Sequence, residues 1–340
     1  MKIGFGLPIS GSWATREHMA RVAVRAEQLG YHSLWSFQRL LSPADGSWGE
    51  YYRSVHDPLL PLAYAAALTS RIRLGAAIVN LPFINPAVLA KQVSSLDVVS
   101  DGRADLGLGN GWSDEEFAAT GASKQGRGRR ADDYIATLKA LWADEPHNGR
   151  YYTVPEGIVF DPKPVQRPHP PILLGGGSQG VVRRTGRLCD GWVSGSQMTP
   201  ETIASMVKLI RATAIEAGRD PAALRFVARG AVKVRAAGDT AGSPERRAAG
   251  DTAGSPERRA AGDTAGSPER RAAGDTAGSP ERKPLTGTID EIRADMERYA
   301  AIGVTELFVD LNFDPQIGSP DADPQESMRR AEEALEAFAP

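Results

Sequence analysis

Short apolar runs rich in β-branched residues alternate along this chain with stretches of helical periodicity, and no other feature narrows the fold as far. A strand followed by a helix and then by a further strand makes a parallel pair with a crossover helix, so sustained alternation implies a parallel sheet covered by helices. The strand candidates are Lys2–Leu7, Ser33–Gln38, Ile72–Asn80, Arg103–Gly109, Pro171–Gly175, Gly191–Gly195, Arg225–Val234 and Glu306–Leu311. Each is followed by a helix candidate. Met19, Val22, Ala23, Ala26 and Leu29 share one helical face, as do Ile135, Leu138, Leu141 and Trp142, then Ile203, Met206, Val207 and Ile210, then Met328, Ala331, Leu335 and Phe338. Eight such units predict an α/β fold of the (β/α)8 barrel type, whose usual length is about 250 residues, with a doubly wound open sheet as the alternative. A single barrel domain is expected over residues 1–340.

One segment does not fit the alternation. The twelve residues AAGDTAGSPERR occupy Ala236–Arg247, Ala248–Arg259 and Ala260–Arg271, and a fourth copy, Ala272–Lys283, ends in Lys. No copy contains a large apolar side chain, so stacked copies have nothing with which to build a solenoid core. The segment 236–283 reads as a mobile, solvated insertion after the seventh strand, with a partner-binding arm as the other reading.

Charge and composition remove several classes of function. Forty Lys and Arg against 42 Asp and Glu give a net charge of −2 without a long basic run, which argues against a nucleic-acid or anionic-membrane surface. Cys189 stands alone, so neither an internal disulfide nor a multi-cysteine metal site is available. The longest uncharged stretch, Leu74–Ala90, is 17 residues and is interrupted by Pro82 and Pro86, too short for a membrane span. The opening MKIGFGLPISG lacks the apolar core of a signal peptide, and a cytoplasmic protein acting on a small molecule is expected.

In a barrel the chemistry gathers where the C-terminal ends of the strands open into one mouth. Gly175-Gly176-Gly177-Ser178 runs from a strand into a helix: the glycines let backbone amides approach an anion, and Ser178 caps a helix whose N-terminus favours phosphate. The same residues could form only a tight turn. At the fourth strand, Gly107, Gly109 and Gly111 would let a flat ring approach the backbone beside Trp112, or would serve strand packing. Gln38, Arg39 and His56 are the polar groups near the end of the second strand. The five histidines lack metal-binding spacing, no G-x-S-x-G elbow is present, and Cys189 sits at a strand start, where burial is expected; no metal site is predicted. A mouth with glycines, a phosphate cradle and few acid–base groups suits a cofactor that carries the chemistry itself.

These residues resemble the bacterial luciferase-like family of flavin and deazaflavin oxidoreductases. The likeness rests on SLWSFQRLL at Ser33–Leu41, the block Arg71–Trp112, RGRRADDYI at Arg127–Ile135, PPILLGGGS at Pro170–Ser178 and LTGTIDEI at Leu285–Ile292. It implies a (β/α)8 barrel, a homodimer, and FMN or coenzyme F420 at the mouth. By the same likeness a cis peptide bulge falls at Ala77–Ile78, against the cofactor ring, and both residues would contact it. Asn80, Gly109, Asn110 and Trp112 would line the ring pocket, and Gly175, Gly176, Gly177 and Ser178 would hold the phosphate. Members resembling the sugar-phosphate dehydrogenases carry an Asp-His pair after the second strand and a Glu after the fourth. Here those places read Gln38-Arg39 and Trp112, which disfavours glucose 6-phosphate oxidation. The SLWSFQRLL variant and the Ala- and Arg-rich composition resemble the actinobacterial deazaflavin branch. The expectation is hydride transfer between F420 and a small organic substrate, with Gln38, Arg39 and His56 as candidates for orienting substrate or moving a proton. An FMN-dependent monooxygenase is the alternative, and a non-catalytic cofactor-binding protein the reading from another class.

Overall fold

The computed structural model describes residues 1–235 and 282–340. Eight parallel strands close into a barrel: Lys2–Gly6, Ser33–Ser36, Arg73–Asn80, Ala104–Gly109, Ile172–Gly175, Gly191–Val193, Arg225–Ala231 and Glu306–Asp310. Each pairs with its neighbour in sequence, and the first pairs with the eighth, Lys2 opposite Glu306. They are referred to below as the first to the eighth strand. Helices Arg16–Gln28, Leu59–Leu68, Pro86–Val99, Arg127–Ala143, Gln179–Leu188, Pro200–Glu216, Ile289–Ala301 and Pro324–Ala337 supply the crossovers. Each strand is buried on both faces, which is why the strands read as nearly continuous apolar runs.

Side chains alternate between two cores. Phe5, Leu34, Leu74, Leu106, Leu174, Phe226 and Leu307 face outward beneath the helices. Trp35, Ala77, Leu173, Val193, Val227 and Phe308 fill the barrel itself, with the Trp35 and Phe308 rings stacked 5.3 Å apart. Small residues make room for the large ones: a Cβ at Gly75 would lie 2.4 Å from the Trp35 ring. Below this layer a charged plug closes the N-terminal end. Arg73 Nη2 and Arg225 Nη1 donate to Asp105 Oδ1 at 2.6 and 2.7 Å, and Arg225 Nη2 donates to Glu306 Oε2 at 3.0 Å. The interior is therefore solid up to the mouth.

The predicted seventh strand runs three residues too far. It ends at Ala231, and Lys233–Val234 leaves the barrel to form a short parallel ribbon with Thr286–Gly287. The repeat 236–283 lies outside the described residues except for Arg282 and Lys283. Arg282 donates to Asp295 Oδ2 and Oδ1 at 2.7 and 2.8 Å, fastening this strand-to-helix connection to the helix Ile289–Ala301. Cys189 is fully buried, and burial pushes its thiol up to about 12. Among the described residues no helix is long and apolar enough to cross a membrane.

Candidate active site

The third strand shapes the mouth. The Ala77–Ile78 peptide bond is cis, where the family likeness implies it, and the pairing with the fourth strand shifts register between Ala76 and Val79. The Ile78 side chain consequently crosses the ends of the fourth and fifth strands. A Cβ at Gly109 would lie 2.3 Å from Ile78 Cδ1, and one at Gly175 would lie 2.9 Å from Ile78 Cγ2. Both glycines leave the space that Ile78 fills.

The adjoining strand ends are stitched together. Gln38 Oε1 accepts from the Asn80 amide N–H at 2.8 Å, and Asn80 Oδ1 accepts from the Gly111 N–H at 3.0 Å. Next to Gly111, the buried Oδ1 of Asn110 receives no hydrogen bond among the described residues. At the fifth strand, Gly176 takes φ +116°, open to glycine but strained for other residues. Trp192 Nε1 donates to Gly176 O at 2.8 Å, and Ser178 caps the helix Gln179–Leu188 by accepting from the Val181 N–H at 3.4 Å. Gly177 and Ser178 are exposed, so the predicted cradle opens to solvent.

Gln38, Arg39 and His56 do not converge on one point. Gln38 is committed to Asn80. Arg39 Nη1 donates to Glu116 Oε2 at 3.0 Å, and its guanidinium packs 4.5 Å from the Trp112 ring centroid and 4.6 Å from that of Tyr52. Glu116 also accepts from the Leu40 N–H at 2.8 Å and is only 1% exposed. Arg39 is thus part of a buried clamp between the second and fourth loops, with Trp112 packed over it and meeting Trp48 edge-on at 4.7 Å. His56 is exposed, and its Nε2 lies 3.0 Å from Ala14 O.

Sequence reasoning singled out none of Glu116, Arg229, Asp310 and Asn312; Arg229 and Asp310 fell inside strand candidates. The spacing Ser113-x-x-Glu116 is an N-cap signal, and Ser113 Oγ does accept from the Glu116 N–H at 3.1 Å, but the carboxylate turns toward Arg39. Arg229 stands two residues beyond the inward-facing Val227, and Arg229 Nε lies 3.1 Å from Asp310 Oδ2. Asn312 Nδ2 donates to Asp310 Oδ1 at 2.9 Å and to Leu7 O at 3.0 Å, while its Oδ1 accepts from the Ile9 and Ser10 N–H groups at 3.2 and 3.3 Å. It holds the first loop against the eighth strand.

A closed parallel barrel with a bulged third strand over glycine ends and a capped helix terminus beside them defines a (β/α)8 protein with a glycine-lined mouth. The chain belongs to the luciferase-like monooxygenase family, whose model matches residues 5–306. It is 32% identical over 180 residues to the F420-dependent glucose-6-phosphate dehydrogenase of Kineococcus radiotolerans, covering 52% of this chain and 51% of that one. It is 33% identical over 157 residues to the FMNH(2)-dependent dimethylsulfone monooxygenase of Pseudomonas putida, covering 45% and 42%. The chain thus spans about half the length of the curated relatives it matches. Among solved structures, monooxygenase RslO1 from Streptomyces bottropensis superimposes with a TM-score of 0.73 at 25% identity, covering 99% of this chain and 98% of that one. The family contains both F420-dependent and FMN-dependent oxidoreductases.

Proposed function

We propose that the protein is an F420-dependent oxidoreductase that passes a hydride between the deazaflavin ring and a small organic substrate at the barrel mouth. The observation that carries this reading is the Ile78 bulge set against Gly109 and Gly175, with the buried Asn110 Oδ1 lacking a donor beside it. A deazaflavin or flavin ring carries an imide N–H, the donor that acceptor needs. Gly109, Asn110, Asn80 and Trp112 would border the ring, and Gly175, Gly176, Gly177 and Ser178 with the helix N-terminus would hold the phosphate. The cofactor supplies the hydride chemistry when bound. Gln38 acts by fixing the Asn80 backbone. Arg39 is committed to Glu116, and its role is to join the loops over the mouth.

The SLWSFQRLL motif and the F420-dependent relative support the deazaflavin. The likeness to the monooxygenase RslO1 over nearly the whole chain, with that to the FMNH(2)-dependent relative, favours a second reading, an FMN-dependent monooxygenase. Gln38-Arg39 in place of an Asp-His pair speaks against glucose 6-phosphate as substrate. A cytoplasmic homodimer accompanies this reading. Leu60, Val88 and Val99, on two adjoining helices, are 72%, 51% and 62% exposed and would be covered by a second copy.

Parallel titrations of the purified apoprotein with F420 and FMN, followed by fluorescence and by thermal stabilisation, test the proposal, because a ligand held only by the folded state raises its stability. Tight binding of F420 is the expected result. Binding of FMN alone would move the assignment to the monooxygenase reading, and binding of neither would overturn both.

A further inference from the structure

Arg229 and Asp310 lie on the paired seventh and eighth strands, at the end of the barrel that carries the mouth. The Arg229 guanidinium packs 4.9 Å from the Phe37 ring centroid, 4.8 Å from that of Phe313 and 5.6 Å from that of Phe308. Its side chain is 12% exposed and that of Asp310 is 1% exposed. Although Nε is 3.1 Å from Asp310 Oδ2, its N–H is not aligned with that oxygen. Neither Nε nor Nη2 finds a hydrogen-bond acceptor among the described residues. These N–H groups leave one edge of the planar guanidinium side by side, the spacing that matches the two oxygens of a carboxylate. Buried donors without an acceptor are costly, and three aromatic rings around a guanidinium provide an apolar bed for a flat ligand body. In the closed ring of strands the seventh stands opposite the third, the strand that carries the Ile78 bulge.

We propose that Arg229 is the substrate-recognition residue of the mouth, its Nε–Nη2 edge receiving the carboxylate of a small aromatic acid whose ring rests among Phe37 and Phe313. The proposal rests on the oxidoreductase reading and names the substrate class of that site. Asp310 moderates the site. Burial raises its carboxyl above the ordinary range against the opposing pull of Arg229, and its Oδ2, 3.1 Å from Nε, competes with the ligand for the guanidinium.

Isothermal titration of the full chain with benzoate and with benzamide, which shares its shape and lacks its charge, tests this. Benzoate binds at least about tenfold tighter than benzamide in the unaltered protein, and Arg229→Met loses about tenfold or more in benzoate affinity while benzamide changes little. Arg229→Lys, which keeps the charge and loses the fork, falls between, and Asp310→Asn tightens benzoate. Absence of benzoate binding, equal affinities for the two probes, or unaltered benzoate affinity in both Arg229 variants would overturn the proposal. F420 and FMN titrations of the same variants report folding and cofactor binding separately. Selective benzoate binding in a protein that takes neither cofactor would sink the oxidoreductase reading and leave the carboxylate site standing.

Discussion

Ile78 occupies the volume that side chains at positions 109 and 175 would need, and the two sites differ in how much they can yield. A methyl group at 109 meets both Cδ1 and Cγ1 of Ile78 at 2.3 and 2.9 Å, whereas one at 175 meets only Cγ2 below 3 Å. Gly109→Ala should therefore cost about 1–3 kcal/mol of stability and weaken cofactor binding more than Gly175→Ala does, as read by urea unfolding and cofactor titration. Asn110 makes the complementary case. Its Oδ1 bonds nothing in the described fold, so Asn110→Ala should leave stability within about 0.5 kcal/mol yet lower cofactor affinity about tenfold. The glycines were legible in the sequence because they cluster at strand ends. Their partner was legible only through the family likeness, which placed a cis bulge at Ala77–Ile78, since no periodicity encodes such a bulge. Arg229 was missed for a related reason: Arg225–Val234 reads as one apolar run until inward and outward positions are assigned, after which a charge two residues beyond Val227 has to point into the barrel.

The secondary elements were legible in number and order, since burial on both faces writes each strand as an apolar run and each helix shows its buried stripe. Their ends were less so. Val232 and Val234 continue the β-rich composition past Ala231 while the backbone turns out to the ribbon with Thr286–Gly287, a tertiary choice absent from local sequence. Helix caps are the dependable boundary signal. Thr288 and Glu291 form a full capping box, with Thr288 Oγ1 accepting from the Glu291 N–H and Glu291 Oε2 accepting from the Thr288 N–H. Thr288→Ala should cost about 1 kcal/mol, a fall in Tm of a few degrees at most by calorimetry. The loops over the mouth depend instead on the Arg39–Glu116 clamp. Glu116→Gln retains an acceptor for the Leu40 N–H but leaves Arg39 buried without its counter-charge, so a loss of about 3 kcal/mol in urea unfolding is expected.

Across the whole molecule, the charged plug makes stability depend on pH. Burial alone would raise the Asp105 carboxyl, but Arg225 and Arg73 outweigh it and hold the group below the ordinary carboxylate range. A lowered folded value means the contribution is complete above about pH 4, the unfolded carboxylate value, and is lost as pH falls through the folded one. Asp105→Asn should cost about 3 kcal/mol or more at pH 7, with the gap to the unaltered protein narrowing only under acid conditions when both are unfolded in urea. The apolar helix face gives a test at the same scale: Leu60→Glu combined with Val88→Glu should turn a dimer into a monomer in sedimentation, with cofactor binding retained. The ribbon joining Lys233–Val234 to Thr286–Gly287 has a different kind of consequence. Together with the Arg282–Asp295 clasp it sets Val234 and Gly287 beside each other, Arg235 N–H donating to Gly287 O at 2.8 Å, whatever length of chain runs between. Barrel closure therefore does not count the tandem copies. Slippage during replication could add or remove whole units ahead of Arg282 while the strands keep their register, so copy number becomes a trait that lineages can vary without rebuilding the barrel.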